Sequence, residues 1–274
     1  MEPFVKWAGG KRQLLDRIWE RTPNKFETYY EPFIGGGAVL FRLKPEKAVI
    51  NDTNEQLINI YRQLKTDPRA VIRAVNRLDK GPCDKEYYLK RREEYNQKIV
   101  NKELDAECAA YMIWINKHCF NGLYRVNNKG LFNVPYNNKQ LGKSIDEANL
   151  MSIGYYLQEA DVQIHCMDFE EVCNDIGEND FVYFDSPYIP VSETASFTDY
   201  TKDGFTYDDH VRLSKLYRGL ADNGVKCMLS NHDVELVYEL YDGFKIESTD
   251  VKRNINSNAK KRTGKEVIIT NYEI

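Results

Sequence analysis

The chain has 274 residues, of which 42% are hydrophobic and 29% charged, and its net charge is −4. These proportions exclude disordered and fibrous classes, and the length allows one large domain or a core with a modest insert. No apolar run approaches the roughly 18 residues of a spanning helix, residues 1–11 carry neither a signal-peptide core nor a lipidation pattern, and the six cysteines form no CxxC pair. The expectation is a reduced, soluble, cytoplasmic protein with no structural metal and no membrane partner.

The net charge alone suggests no polyanionic partner, but its distribution does. Residues 61–150 hold 17 basic and 11 acidic side chains, a net +6 that leaves −10 for the rest. Between Ile115 and Lys143 there are five basic residues (Lys117, Arg125, Lys129, Lys139, Lys143) and no acid, and between Lys252 and Lys265 there are six and again no acid. Local fields attract a polyanion, whatever the total. Either run alone reads as a solvated face, and the pair puts phosphate contact on an equal footing with it.

In chain order, the pattern predicts a strand near 28–33, a glycine turn, a helix from Ala38 and a second strand over 48–51. Helical spacing follows through about 53–118, with Leu104, Cys108, Met112 and Ile115 on one face. Residues 119–138 are rich in Asn, Gly and Tyr, and Asn127-Asn128-Lys129-Gly130 reads as a hairpin turn. After a helix near 146–159, strands are expected at 162–166, Phe181–Phe184, 225–229, 244–248 and 266–272. Alternating elements at both ends imply an α/β fold with a mostly parallel sheet, and the helical, basic middle reads as an insert. The domain expectation is a core from 1–58 and 146–274 around an inserted, mostly helical domain, 59–145, that carries a β-hairpin.

Glu31-Pro32-Phe33-Ile34-Gly35-Gly36-Gly37 lies where a strand becomes a helix, a place where glycine lets a backbone approach a ligand closely. The spacing is not GxGxxG, and a tight left-handed turn explains the triplet as well. Asp52, 17 residues past Gly35 at the end of the next strand, could accept both hydroxyls of a ribose, or could cap a helix with Thr53 and Asn54 as rivals. An adenosine-containing ligand fits both features, whether NAD or S-adenosylmethionine. Asp185-Ser186-Pro187-Tyr188 then ends the apolar strand Phe181–Phe184. A carboxylate and a backbone carbonyl accepting the two hydrogens of an exocyclic base amine would localise its lone pair, while an aromatic ring stacks on the base. A duplex base must leave the helix to enter such a pocket.

With these residues in place the sequence resembles the Dam-type DNA adenine N6-methyltransferases. The resemblance runs through Lys6-Trp7-Ala8-Gly9-Gly10-Lys11, the Glu31 to Gly37 segment, Asn121-Gly122-Leu123-Tyr124-Arg125 and Phe132-Asn133-Val134-Pro135. It continues through Asp185-Ser186-Pro187-Tyr188, Thr194-Ala195-Ser196-Phe197-Thr198 and Ser230-Asn231-His232-Asp233. Motif order matches the family's from about Phe4 to Tyr272. The resemblance implies a Rossmann-like S-adenosylmethionine-dependent methyltransferase acting on adenine in double-stranded GATC by base flipping. It assigns Trp7, Lys11, Phe33, Gly35, Asp52, Asp168, Phe169 and Asp185 to the cofactor, and Asp185, Ser186, Pro187 and Tyr188 to catalysis. DNA would be met by Lys6, Phe120, Asn121, Leu123, Arg125, Asn133 and Pro135, with Arg125 on a guanine, Phe120 wedged beside the vacated adenine and Lys6 at the opposite outer base pair.

Taken without the family, Trp7 and Phe120 read as core aromatics, Lys11 as a solvated helix start, Asp168 as a helix cap, and Lys6 and Arg125 as phosphate contacts. The family usually has proline at position 186, where this chain has serine. That departure keeps open a catalytically impaired DNA- or cofactor-binding module, and similar tetrapeptides also serve protein glutamine N-methylation. A monomer is expected, associated with DNA and acting alone or beside a restriction endonuclease.

Overall fold

The computed structural model describes residues 1–7, 9, 11, 14–139, 142–191, 204–252 and 263–273. The 194–198 motif, most of the basic run after Lys252, and Ala8 and Gly10 of the N-terminal motif lie outside the described residues. In chain order the helices are α1 (Leu15–Arg21), α2 (Ala38–Leu43), α3 (Glu55–Thr66), α4 (Pro68–Leu78), α5 (Lys85–Val100) and α6 (Ala106–His118). They continue as α7 (Glu147–Glu159), α8 (Tyr207–Asp222) and α9 (Glu235–Leu240). The strands are β1 (Tyr29–Glu31), β2 (Lys47–Asn51), β3 (Asp161–His165), β4 (Phe181–Phe184), β5 (Lys226–His232), β6 (Lys245–Lys252) and β7 (Thr263–Thr270). Every strand expected outside the 119–138 hairpin is present, with ends moved by a few residues, and the fold is the expected mixed α/β type.

The chain divides into two compact units, one of Met1–Gly10, Ile34–Glu46 and Asn51–Cys166, the other of Lys11–Phe33, Lys47–Ile50 and Met167–Ile274. In the first, helix starts are written in the sequence. Asn54, Asp67, Asp84, Asp105 and Asp146 each accept the backbone N–H three residues on, opening α3 to α7 in turn. Pro68 adds its fixed φ at the first turn of α4. Helix α6 is buried on nearly every side, from Cys108 to Asn116, because α3, α4 and α5 all pack on it. Helix α7 packs in turn on α3 and α4, and β3 lies against α3 and α7.

The hairpin expected at 119–138 has its turn: the Gly130 N–H donates to Asn127 O at 2.9 Å and the Asn127 N–H to Leu131 O at 2.9 Å. Among the described residues the ladder between its arms is reduced to two isolated antiparallel bridges, Cys119–Tyr136 and Val126–Phe132. Side chains of α5 take over the backbone groups that a ladder would have used. Asn96 brackets Phe132, donating to its carbonyl at 3.0 Å and accepting from its N–H at 2.8 Å, and the Tyr88 hydroxyl donates to Val134 O at 2.8 Å.

In the second unit the strands run in the order β2-β1-β4-β5-β7-β6. Strand β1 is parallel to β2 and β4, and β4 is parallel to β5. Strand β7 runs antiparallel to both β5 and β6. Burial of all four residues of β4 matches its unbroken apolar sequence, as in a strand covered on both faces. The core includes Val182, Phe184, Cys227, Leu229, Val267 and Ile269 of the sheet with Leu213 and Tyr217 of α8 and Val237 of α9. Strand β1 has its sequential neighbour β2 on one side and β4 on the other, so strand order reverses there. Ligands of open α/β sheets bind beyond the carboxyl ends of strands at such a point.

Candidate functional site

Asp185 is the first residue beyond the carboxyl end of β4, and its carboxylate is paired with the ammonium of Lys11, which is only 4% exposed. Lys11 is therefore no solvated helix start. Burial alone would lower its pKa, but the Asp185 carboxylate more than offsets this and holds it above the ordinary lysine range. Burial pushes the Asp185 carboxyl upward, while Lys11 and the Ser230 hydroxyl pull it back. The same ammonium lies 4.2 Å from the centroid of the Tyr188 ring, a cation–π contact that fixes the ring.

Three residues at the end of β5 hold this turn. The register pairs Phe184 with Leu229, which sets Ser230 beside Asp185. The Ser230 hydroxyl lies 2.8 Å from the Tyr183 hydroxyl and donates to Asp185 Oδ1 at 3.4 Å. Asn231 Oδ1 accepts the Ile189 N–H at 2.9 Å, and His232 Nδ1 lies 2.8 Å from Ile189 O with its ring edge-on to Tyr188. Tyr188 also donates to Glu266 of β7 at 3.4 Å. Ser230, Asn231, His232 and Glu266 carry no role that can be assigned from sequence alone. The signal for the first three was the Ser230-Asn231-His232-Asp233 motif, and only the strand register turns it into a neighbour of Asp185. Ser186 is 2% exposed, its hydroxyl has no hydrogen-bond partner among the described residues, and Pro187 is exposed.

Phe33, one residue after Pro32 beyond β1, meets Phe169 at 5.4 Å between centroids, and Phe205 closes on both rings. Arg212 of α8 lies over Phe169 and donates to Asp168, Glu170 and Asp209 at 2.8, 2.8 and 2.9 Å. Asp168 also accepts the Glu170 N–H at 2.9 Å. It is thus the anchor of an arginine-tied aromatic cluster.

In the first unit, Gly35 adopts φ +47°, and a Cβ there would lie 2.9 Å from Trp7 Cδ1. Its N–H donates to Asp52 Oδ2 at 3.1 Å and its carbonyl accepts the Tyr61 hydroxyl at 2.9 Å. Asp52 Oδ1 takes the Asn54 N–H at 2.9 Å, while Asn54 itself caps α3. Burial pushes the Asp52 carboxyl upward, and the N–H groups of Asn54 and Gly35 oppose that. The half-buried Trp7 ring also meets Tyr124 at 5.2 Å, so it is no simple core aromatic.

Phe120 is 50% exposed and Leu123 44%, with Lys6, Asn121, Arg125 and Pro135 also exposed. The Phe120 N–H donates to Pro135 O at 2.8 Å, and Arg125 Nε donates to Asn133 Oδ1 at 2.7 Å. A Cβ on Gly122 would strike the Lys6 stem. The structure therefore gathers Lys6, Phe120, Asn121, Leu123, Arg125, Asn133 and Pro135 into one region of the first unit. At 50% exposure Phe120 is no core aromatic.

Residues 7–255 match the family of D12 class N6 adenine-specific DNA methyltransferases. The chain belongs to that family. It is 44% identical to the type II methyltransferase M1.LlaDCHI of Lactococcus lactis subsp. cremoris, over 99% of this chain and 96% of that one. Identity is 42% to the type II methyltransferase M.MjaIII of Methanocaldococcus jannaschii, over 99% of both chains, and 32% to the DNA adenine methylase of Escherichia coli K12, over 98% and 95%. The methyltransferase is thus an adenine-specific enzyme of the Dam type, and membership implies S-adenosylmethionine as methyl donor and DNA as substrate. Among the described residues no group of three or more His, Cys, Asp or Glu is placed to hold a metal ion, and no helix is long and apolar enough to cross a membrane.

Proposed function

We propose that this methyltransferase modifies adenine N6 within double-stranded GATC, on a base flipped out of the duplex. The observation that carries the reading is the half-buried Asp185 carboxylate, flanked by Lys11 and the Tyr188 ring at the carboxyl end of β4. Asp185 and the carbonyl of Ser186 would accept the two N6 hydrogens, concentrating the amine lone pair, and Tyr188 would stack on the base. Bound S-adenosylmethionine supplies an electrophilic methyl on a sulfonium sulfur. Asp52, whose oxygens each hold one backbone N–H and keep lone pairs free, fits the ribose hydroxyls, and a side chain at Gly35 would fill the space against Trp7. In the second unit, Phe33 and Phe169 with Asp168 fit the cofactor's adenine, and Lys11 keeps Asp185 charged.

Residues 59–145 would read the DNA. Arg125, braced by Asn133, would take the guanine of one outer base pair and Lys6 the other, with Phe120 as the wedge and Asn121, Leu123 and Pro135 in support. The basic, acid-free stretch from Ile115 to Lys143 favours DNA over a protein glutamine substrate. A monomer acting beside a restriction endonuclease is our reading, and the names of two relatives above 40% identity, both type II methyltransferases, support the pairing.

Tritium transfer from S-adenosylmethionine tests the assignment. The expected outcome is label on N6 of adenine in a GATC duplex and none in a duplex lacking GATC. Label on another sequence would overturn the specificity. Binding of cofactor and DNA without transfer would mean that Ser186 has made the chain an impaired module, and label on protein glutamine would replace the reading altogether.

A further inference from the structure

Lys6 and the segment 120–125 are separated by more than a hundred residues, yet one side chain holds both. Asn116, in the last turn of α6, is 3% exposed. Its Oδ1 accepts the Lys6 backbone N–H at 2.8 Å. Its Nδ2 donates to the Lys6 carbonyl at 3.0 Å and to the Gly122 carbonyl at 2.9 Å. Both amide hydrogens are thereby used, and every partner is main chain, so the amide fixes where two backbones run whatever their side chains. Gly122 at φ +68° completes the fit, since a Cβ there would lie 2.5 Å from Lys6 Cδ and 2.8 Å from Lys6 Cβ. Beyond this joint the Lys6 side chain and Phe120, Leu123 and Arg125 stay exposed. Few residues can replace this one. Aspartate lacks both donors, glutamine adds a methylene, and alanine removes all three bonds.

We infer that Asn116 is a positioning residue for sequence recognition, locking Lys6 to the Gly122 turn so that the two outer base pairs are read by one rigid gauge. The inference rests on the proposed reading of those pairs by Lys6 and Arg125. Base discrimination depends on bidentate geometry that a small displacement spoils, whereas phosphate contacts tolerate it. Loss of the clasp therefore degrades discrimination on both sides of the target adenine together. Loss of either reader degrades one side.

Single-turnover methylation of three duplexes tests this: the cognate site, and two sites each altered at one outer base pair. The proteins are the wild type and Asn116→Ala, Asn116→Asp, Gly122→Ala, Lys6→Ala and Arg125→Ala, with cofactor affinity followed by calorimetry. Asn116→Ala is expected to lower the cognate-to-altered ratio by about tenfold or more at both positions, with cofactor affinity within about twofold of wild type. Gly122→Ala pushes Lys6 away from the opposite side of the joint and should give the same two-sided pattern. It decides the matter if Asn116→Ala does not fold, and Asn116→Asp serves as a further substitute. If Lys6→Ala and Arg125→Ala each relax one pair while the Asn116 variants slow all three duplexes equally, Asn116 is only structural and the inference is overturned. If neither Lys6→Ala nor Arg125→Ala relaxes any pair, the assignment of the readers is itself wrong and the inference falls with it.

Discussion

Lys11 and Asp185 form an ion pair just beyond β4, and the proposed chemistry rests on each keeping the other charged. A carboxylate drawn out of water without a counter-ion takes up a proton, and a protonated Asp185 is a much weaker acceptor for the N6 hydrogen assigned to it. Lys11→Gln keeps a polar side chain there but removes the charge that draws the Asp185 pKa down. The sign is then fixed. Asp185 in the variant protonates at higher pH than in the wild type, so the acid limb of the rate profile moves up in pH. Single-turnover methylation measured from pH 5 to 8.5 should show that displacement. An acid limb at the wild-type position with only a uniform loss of rate would mean that Lys11 serves binding and leaves the carboxylate's ionisation alone. Ser186 belongs to the same turn and differs in kind, because the carbonyl asked of that position is present in any residue.

At the scale of elements, the glycine turn between β1 and α2 is the most constrained segment, since Asp52, Tyr61 and Trp7 all close on Gly35. Gly35→Ala must adopt φ +47° with a side chain and displace the Trp7 ring, a backbone and packing cost of about 1–3 kcal/mol. We expect a lower melting temperature, a changed tryptophan emission and weaker S-adenosylmethionine binding by calorimetry. Unaltered cofactor affinity in a folded variant would separate this turn from the cofactor. Much of this level was legible in sequence. Strand β4 was marked by four apolar residues ending at an acid, and Asn54 was already a rival to Asp52 as the cap of α3. The arms of 119–136 were not legible as bridged loops, because Asn96 and Tyr88, which hold them, lie 36 and 46 residues from the groups they bond. The same holds for the Lys11–Asp185 pair and for Ser230 beside Asp185, which only tertiary register brings together. Periodicity reports which face is buried, and says nothing of which distant polar group meets it.

Across the whole chain, each unit buries one histidine at 2% exposure, His118 in the first and His210 in the second. Burial lowers both to about 4, against Asp79 and Asp209 respectively, which act to raise them, and for His118 Lys117 adds to the lowering. The His118 ring stacks on Trp114, and its Nε2 lies 2.9 Å from the Ser144 hydroxyl, which itself donates to Asp79. Asp79 accepts at that end, so Nε2 carries the proton and Nδ1 accepts from the Cys83 thiol at 3.2 Å. Protonating Nδ1 breaks the last link. Because the folded pKa is depressed, the unfolded chain binds more protons between about pH 6.5 and 4. The stabilisation from neutral burial is therefore complete above about pH 6.5 and is lost as pH falls toward 4. Each histidine contributes a limiting slope of about 1.4 kcal/mol per pH unit in that window. Urea unfolding of the wild type and His118→Gln at pH 7.5, 6, 5 and 4.5 checks this. Other titrating groups act alike in both proteins and cancel in the difference. The variant is expected to be less stable at pH 7.5, having lost the relay, and the gap should narrow as pH falls. A gap that stays constant down to pH 4.5 would show that His118 titrates normally in the folded protein, and that the Asp79–Ser144–His118–Cys83 chain does not hold the ring neutral.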